Sequence, residues 1–143
     1  MKNIIIASDH GAVALKSEII SFLKTKDCEI KDMGVNSDES VDYPDIAVTT
    51  CEEFKKGGYD FGILLCGTGI GMSIAANRFK EVRAALCWDM TTAQFSRTHN
   101  DANILCLGQR VIDNQLAVEM VDLWLKTEFE GGRHKLRVDM LGE

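Results

Sequence analysis

The chain has 143 residues, 45% hydrophobic and 27% charged, with a formal net charge of −6. That length fits one domain with a single core, residues 1–143, and excludes a second. The negative balance argues against nucleic acid as a partner, and no apolar run is long enough to span a membrane.

In chain order, MKNIIIASDHG breaks its apolar run at Asp9 and His10, too soon for a signal peptide, so the expected compartment is the cytoplasm. Asn3–Ser8 reads as a buried strand. Leu15, Ile19, Phe22 and Leu23 then share one helical face, and Cys28–Met33 reads as a second strand. Gly34–Asp45 is polar and holds the one proline, Pro44. Tyr43 is therefore expected in an extended loop, with Pro44 opening a helix that carries Ala47, Cys51 and Phe54 on one face.

Phe61–Cys66, Val82–Cys87 and Asn103–Leu107 supply three further strands. Leu116, Met120, Leu123 and Trp124 mark the last long helix, which Gly131–Gly132 are expected to end before a short basic helical segment, RHKLRVDM. Alternation of this kind predicts an α/β fold, a five-stranded parallel sheet with helices on both faces. Such sheets place ligands at the carboxyl ends of their strands. Those ends are Ser8-Asp9-His10-Gly11, the stretch from Cys66 to Gly71, and Leu107-Gly108-Gln109-Arg110.

The glycine-rich stretch is the sharpest signal. Glycines at 67, 69 and 71 let the backbone approach a ligand and aim several N–H groups at one point, and a helix starting there adds its positive end. A thiolate at Cys66 could remove a carbon-bound proton while those donors hold the oxyanion; a tight turn with a buried cysteine explains the same residues. Met72 stands where a dinucleotide fingerprint needs its third glycine and where a cysteine phosphatase loop needs arginine, and the lysine of a Walker loop is missing. The other four cysteines, 28, 51, 87 and 106, lie in apolar or helical runs where cysteine acts as a small hydrophobe.

Arg133 and Arg137, four apart, fall on one helix face and form a fork suited to phosphate, or simply a solvated basic tail. Arg110 falls on the ligand side of the sheet. His10, in the first strand-end loop, and His99, just before the fifth strand, are candidate acid–base groups because histidine exchanges protons near neutrality; His134 carries no clear signal. Asp9 serves equally as a helix cap.

Six stretches together resemble one family: Ser8-Asp9-His10-Gly11, Asp42-Tyr43-Pro44-Asp45, Cys66–Ser73, Ser96 to Asn103, Gly108-Gln109-Arg110-Val111, and Gly131-Gly132-Arg133-His134 with Arg137. The chain is similar to the type B ribose-5-phosphate isomerases, a family that also holds the galactose- and allose-6-phosphate isomerases, and the resemblance spans essentially its whole length. It implies a three-layer α/β/α Rossmann-like fold and an aldose–ketose isomerase of the pentose phosphate pathway. The partners it implies are a phosphorylated sugar and a second copy of the chain, in a homodimer or tetramer with the active site between subunits. No cofactor and no metal are implied.

By the same resemblance, Cys66 is the base that moves a proton through a cis-enediolate and His99 the ring-opening group. Gly67, Thr68, Gly69, Ile70 and Gly71 form the anion hole; Asp9, His10 and Asn100 hold sugar and phosphate oxygens; Tyr43 lines the pocket; Arg110, Arg133 and Arg137 bind phosphate. The basic segment 131–143 is expected to reach the partner. Some members use a glutamate further along the loop as base. Here Cys66, His99 and the arginines occur together, which favours a self-sufficient ribose 5-phosphate enzyme over the two-subunit galactose 6-phosphate type. Allose 6-phosphate isomerase, a non-catalytic sugar-phosphate-binding subunit and a thiol redox protein are the alternatives; the last lacks a resolving cysteine nearby in sequence.

Overall fold

The computed structural model describes residues 1–142; Glu143, the end of the expected partner-reaching segment, lies outside the described residues. Five strands form one sheet: β1 (Lys2–Ser8), β2 (Cys28–Asp32), β3 (Phe61–Cys66), β4 (Ala84–Leu86) and β5 (Ile104–Gly108). Every pairing is parallel and the order is β2-β1-β3-β5-β4. The helices are α1 (Val13–Leu23), α2 (Tyr43–Phe54), α3 (Ile70–Ala76), α4 (Met90–Thr98), α5 (Asn114–Lys126) and α6 (Arg133–Met140), and a 3₁₀ turn, His10–Ala12, leads into α1.

The expected three layers are present. One apolar cluster joins Ile4, Ile6, Ile63, Leu65, Leu105 and Leu107 to α1, α4 and α5 through Leu15, Ala93 and Trp124. The other joins Ala7, Leu64, Cys66, Ile104 and Cys106 to α2 and α3 through Ala47, Cys51 and Met72. Both faces of the three central strands are covered, so these strands read as unbroken apolar runs.

The edges depart from the expectation of buried strands. On β2, Glu29, Lys31 and Asp32 stay exposed, as suits an edge that must not pair with another chain. β4 is three residues long instead of six. Before it, Asn103 Oδ1 takes the Arg83 N–H at 2.7 Å, replacing a ladder bond. Helix α2 starts one residue earlier than expected. Tyr43 is its first helical residue, and Asp42 before it carries the extended backbone (φ −87°, ψ 116°). Gly131 and Gly132 do not end α5: Thr127, extended, already caps it, and the two glycines (φ 69° and 55°) turn the chain into α6.

Parallel strands give the sheet two distinct edges. Ser8, Cys66 and Gly108 end strands at the carboxyl edge, whereas Phe61, Ala84 and Ile104 begin them at the amino edge. Helices α4 and α5 run back between the two, so Thr98 and Lys126 finish at the amino edge. Helix α6 lies there too and has no buried residue. Among the described residues no helix is long and apolar enough to cross a membrane.

Candidate active site

Three neighbouring strand ends meet at the carboxyl edge, where the chain reverses its winding between β1 and β3. Backbone bonds stitch them together: Asp9 N–H to Leu65 O (3.1 Å), Gln109 N–H to Cys66 O (3.0 Å) and Arg110 N–H to Gly67 O (2.9 Å). Glycine is required where they touch. A Cβ on Gly108 would lie 2.5 Å from Thr68 O, and one on Gly71 2.5 Å from Tyr43 Cζ. Gly69, at φ 81°, caps α3.

Cys66 ends β3, with its sulfur receiving the Gly69 N–H at 3.1 Å. The residue is 5% exposed, more enclosed than a freely exposed strand tip, because alternate residues of β3 face the α2–α3 layer and Cys66 follows Leu64 there. Nearby, Asp9 caps the His10–Ala12 turn, accepting from Gly11 N–H at 2.9 Å. The Arg110 guanidinium runs along Gly67; a Cβ on that glycine would sit 3.4 Å from Arg110 Cζ. Thr68 Oγ1 accepts from Ile70 N–H at 3.2 Å. The carboxyl edge thus unites Asp9, His10, Tyr43, Cys66 to Gly71 and Arg110.

The other expected site residues are elsewhere. His99 caps the C-terminus of α4, and Asn100 follows it into the turn before β5. Its ring is stacked between Phe95 (centroids 4.6 Å apart) and His134 (4.2 Å). Arg133 and Arg137 share α6, as expected, and both are exposed. Arg97 fixes this turn: it bonds Asp101 Oδ1 (2.9 Å) and Ala102 O (2.7 Å). Asp101 takes the left-handed backbone (φ 48°). Within one chain, the amino-edge group does not meet Cys66. A cavity of about 480 Å³ also opens at this end, beside Asn100, Lys80, Arg83 and Leu141, and not at the thiol.

The remaining thiols are held neutral. Burial, then neighbouring Glu52, pushes Cys51 up to about 12. Burial likewise raises Cys106, Cys87 and, with Asp27, Cys28. Burial and then the charge of His99 hold His134 below the ordinary histidine value. His99, Glu130 and His134 offer ligand atoms within 4.8 Å of one another. The two imidazoles are nearly parallel (13°), so their in-plane lone pairs do not converge on one ion, and the set as arranged does not fit a tetrahedral metal.

Sequence reasoning missed three contributors. Gln109 Oε1 accepts the Leu15 N–H at 2.9 Å, tying the β5 loop to α1. His134 stacks on His99. Val41, in the loop before α2, donates its N–H to His10 Nδ1 at 3.1 Å. Only Gln109, inside a strand-end motif, carried a local signal.

Comparison with known proteins agrees along the whole chain. The family model described as Ribose/Galactose Isomerase matches residues 4–141. Ribose-5-phosphate isomerase B of Escherichia coli (strain K12) is 45% identical, the match covering 99% of this chain and 95% of that protein. The structure of Clostridium thermocellum ribose-5-phosphate isomerase B superposes with a TM-score of 0.95 at 52% identity, covering 98% of this chain and 95% of that one. The Mycoplasma genitalium ribose-5-phosphate isomerase B structure, with bound ribulose-5-phosphate, gives 0.91 at 45% identity over 96% and 91%.

Proposed function

This chain belongs to the ribose/galactose isomerase family, and from that premise we propose that it interconverts ribose 5-phosphate and ribulose 5-phosphate through a cis-enediolate. Cys66, as thiolate, takes the proton from C2 of the open-chain aldose. The C2 electron pair becomes the C1–C2 double bond, and the carbonyl pair moves to O1. Return of the proton to C1, with the O2 hydroxyl proton passing to O1 as the C2=O2 carbonyl forms, gives the ketose. The loop from Gly67 to Gly71 faces the developing oxyanion, and its backbone donors would lower the barrier by stabilising charge that appears only in the transition state. The contact from Gly69 N–H to the Cys66 sulfur carries this reading, because it places a donor on the proposed base.

His99 would open the sugar ring; Asp9, His10 and Asn100 would hold its oxygens; Tyr43 would wall the pocket; Arg110, Arg133 and Arg137 would grip the phosphate. These roles need a second copy. His99, Asn100 and the α6 arginines lie at the edge opposite Cys66, so a site built from all of them takes its amino-edge half from a partner. Apolar side chains beside each half support such a homodimer: Ile70 and Ile74 of α3, Phe95 of α4, and Leu136 and Met140 of α6 are all exposed. In this reading residues 1–143 work as one domain whose segment 131–143 reaches the partner. The five free cysteines suit the reducing cytoplasm.

The test is a parallel assay of the purified protein on ribose, allose and galactose phosphates. Turnover of ribose 5-phosphate is expected. No turnover of any of the three would leave a binding subunit as the reading.

A further inference from the structure

His10 is held from behind. Its Nδ1 accepts the Val41 N–H at 3.1 Å, so that nitrogen presents a lone pair and carries no proton. The ring's one proton then lies on Nε2. Placing a second proton on Nδ1 would set two N–H groups against each other. We propose that His10 works as an uncharged imidazole, donating from Nε2–H to an oxygen of the sugar phosphate, and that the Val41 backbone is the positioning group that fixes this tautomer. The proposal rests on reading the carboxyl edge as the substrate site.

The segment carrying Val41 is anchored at its start. Beyond β2 the chain stays attached to β1, through Met33 N–H to Ile6 O (2.9 Å), Gly34 O to Ser8 N–H (2.8 Å) and Val35 N–H to Ser8 O (2.8 Å). Beneath it, Lys16, 2% exposed, places its ammonium on Asp32 Oδ1 (2.7 Å), Asp32 Oδ2 (2.9 Å) and Asn36 Oδ1 (2.6 Å). The same β1 extension runs directly into Asp9 and His10, so the imidazole and its donor share one backbone frame. Charged groups on the adjoining segments are Asp9 in the same turn, Asp42 next to Val41, and Arg110 along Gly67. Carboxylates and guanidinium groups do not ordinarily change charge between pH 6 and 8.

Two readouts test this, and they separate the imidazole's state from the reaction itself. Amide hydrogen exchange in the free protein addresses the contact: His10→Ala should speed exchange at Val41 about tenfold, whereas His10→Asn, whose Oδ1 can accept the same N–H, should restore protection. Unchanged exchange in His10→Ala overturns the positioning role, whether or not the protein is an isomerase. Kinetics address the charge, through the ratio of KM in His10→Gln to KM in wild type at pH 6 and pH 8; titration of the substrate phosphate cancels in it. An uncharged donor gives a ratio that is flat or larger at pH 8. A ratio that shrinks toward pH 8 means that His10 binds as a cation and overturns the proposal. Absence of isomerase activity in wild type would instead sink the substrate-site reading, with the exchange result standing.

Discussion

Cys66 and His99 occupy opposite edges of one sheet: Cys66 closes β3, and His99 caps α4 just before β5 begins. The five residues of β5 advance the chain about 13 Å, further than either side chain reaches. If both serve one site, two chains build it. Mixing Cys66→Ala with His99→Asn should then restore activity that neither variant has alone. Half the dimers formed by equal amounts are mixed, and each holds one intact site, so recovery should approach roughly a quarter of wild type. Activity that stays at the level of the parents after subunit exchange would place both residues in a site within one chain.

Cys66→Ser keeps the size of the side chain and an acceptor for the Gly69 N–H, but its hydroxyl is a far weaker base. We expect kcat to fall by about 10²- to 10⁴-fold, with KM changing little. Steady-state kinetics decide it, and a variant that turns over at the wild-type rate would remove Cys66 from the chemistry.

The glycines at the site are not interchangeable with those in α6's leader. Gly108→Ala drives a methyl to 2.5 Å from Thr68 O, backbone that cannot swing aside. It should cost about 1–3 kcal/mol of stability and displace the loop, lowering kcat/KM. Gly131→Ala meets nothing within 4 Å and carries only the strain of φ +69°, about 1 kcal/mol. Thermal unfolding and kinetics of the pair should show comparable or smaller stability loss for Gly131→Ala, and the larger fall in kcat for Gly108→Ala.

Alkaline conditions should loosen the fold through its buried thiols. In the folded chain Cys51 stays protonated up to about 12, held there mainly by burial. A free cysteine ionises near 8.5, so above that pH the unfolded chain releases a proton that the folded chain retains. The stabilisation is complete below the unfolded value and is lost as pH rises toward 12. Melting temperature should therefore drop between pH 9 and 11, and less steeply in Cys51→Ala. Identical slopes would mean that other groups control the loss.

Strands were legible where burial left one solution. Phe61–Cys66 has the bounds its composition predicts, and β1 differs by a residue, because a central strand covered on both faces admits no polar interruption. Helix α4, MTTAQFSRT, has a weak apolar stripe and was not anticipated; its clearest mark was local, Asp89 and Thr92 forming a reciprocal cap. The carboxyl-edge residues followed from the rule for parallel sheets. The Val41–His10 contact joins residues 31 apart through an irregular loop, and no periodicity encodes such a meeting. The stacking of His134 on His99 depends on where a six-residue connector sets α6 down, which tertiary packing decides.

The buried Lys16 ammonium has a consequence for traffic at the site. Swinging the stretch from Asp32 to Asn36 outward would strip that cation of all three oxygens while it stays enclosed, a penalty of several kcal/mol. This rim is a doorpost and not a door. Any closure that accompanies turnover must come from elements free of such a tether.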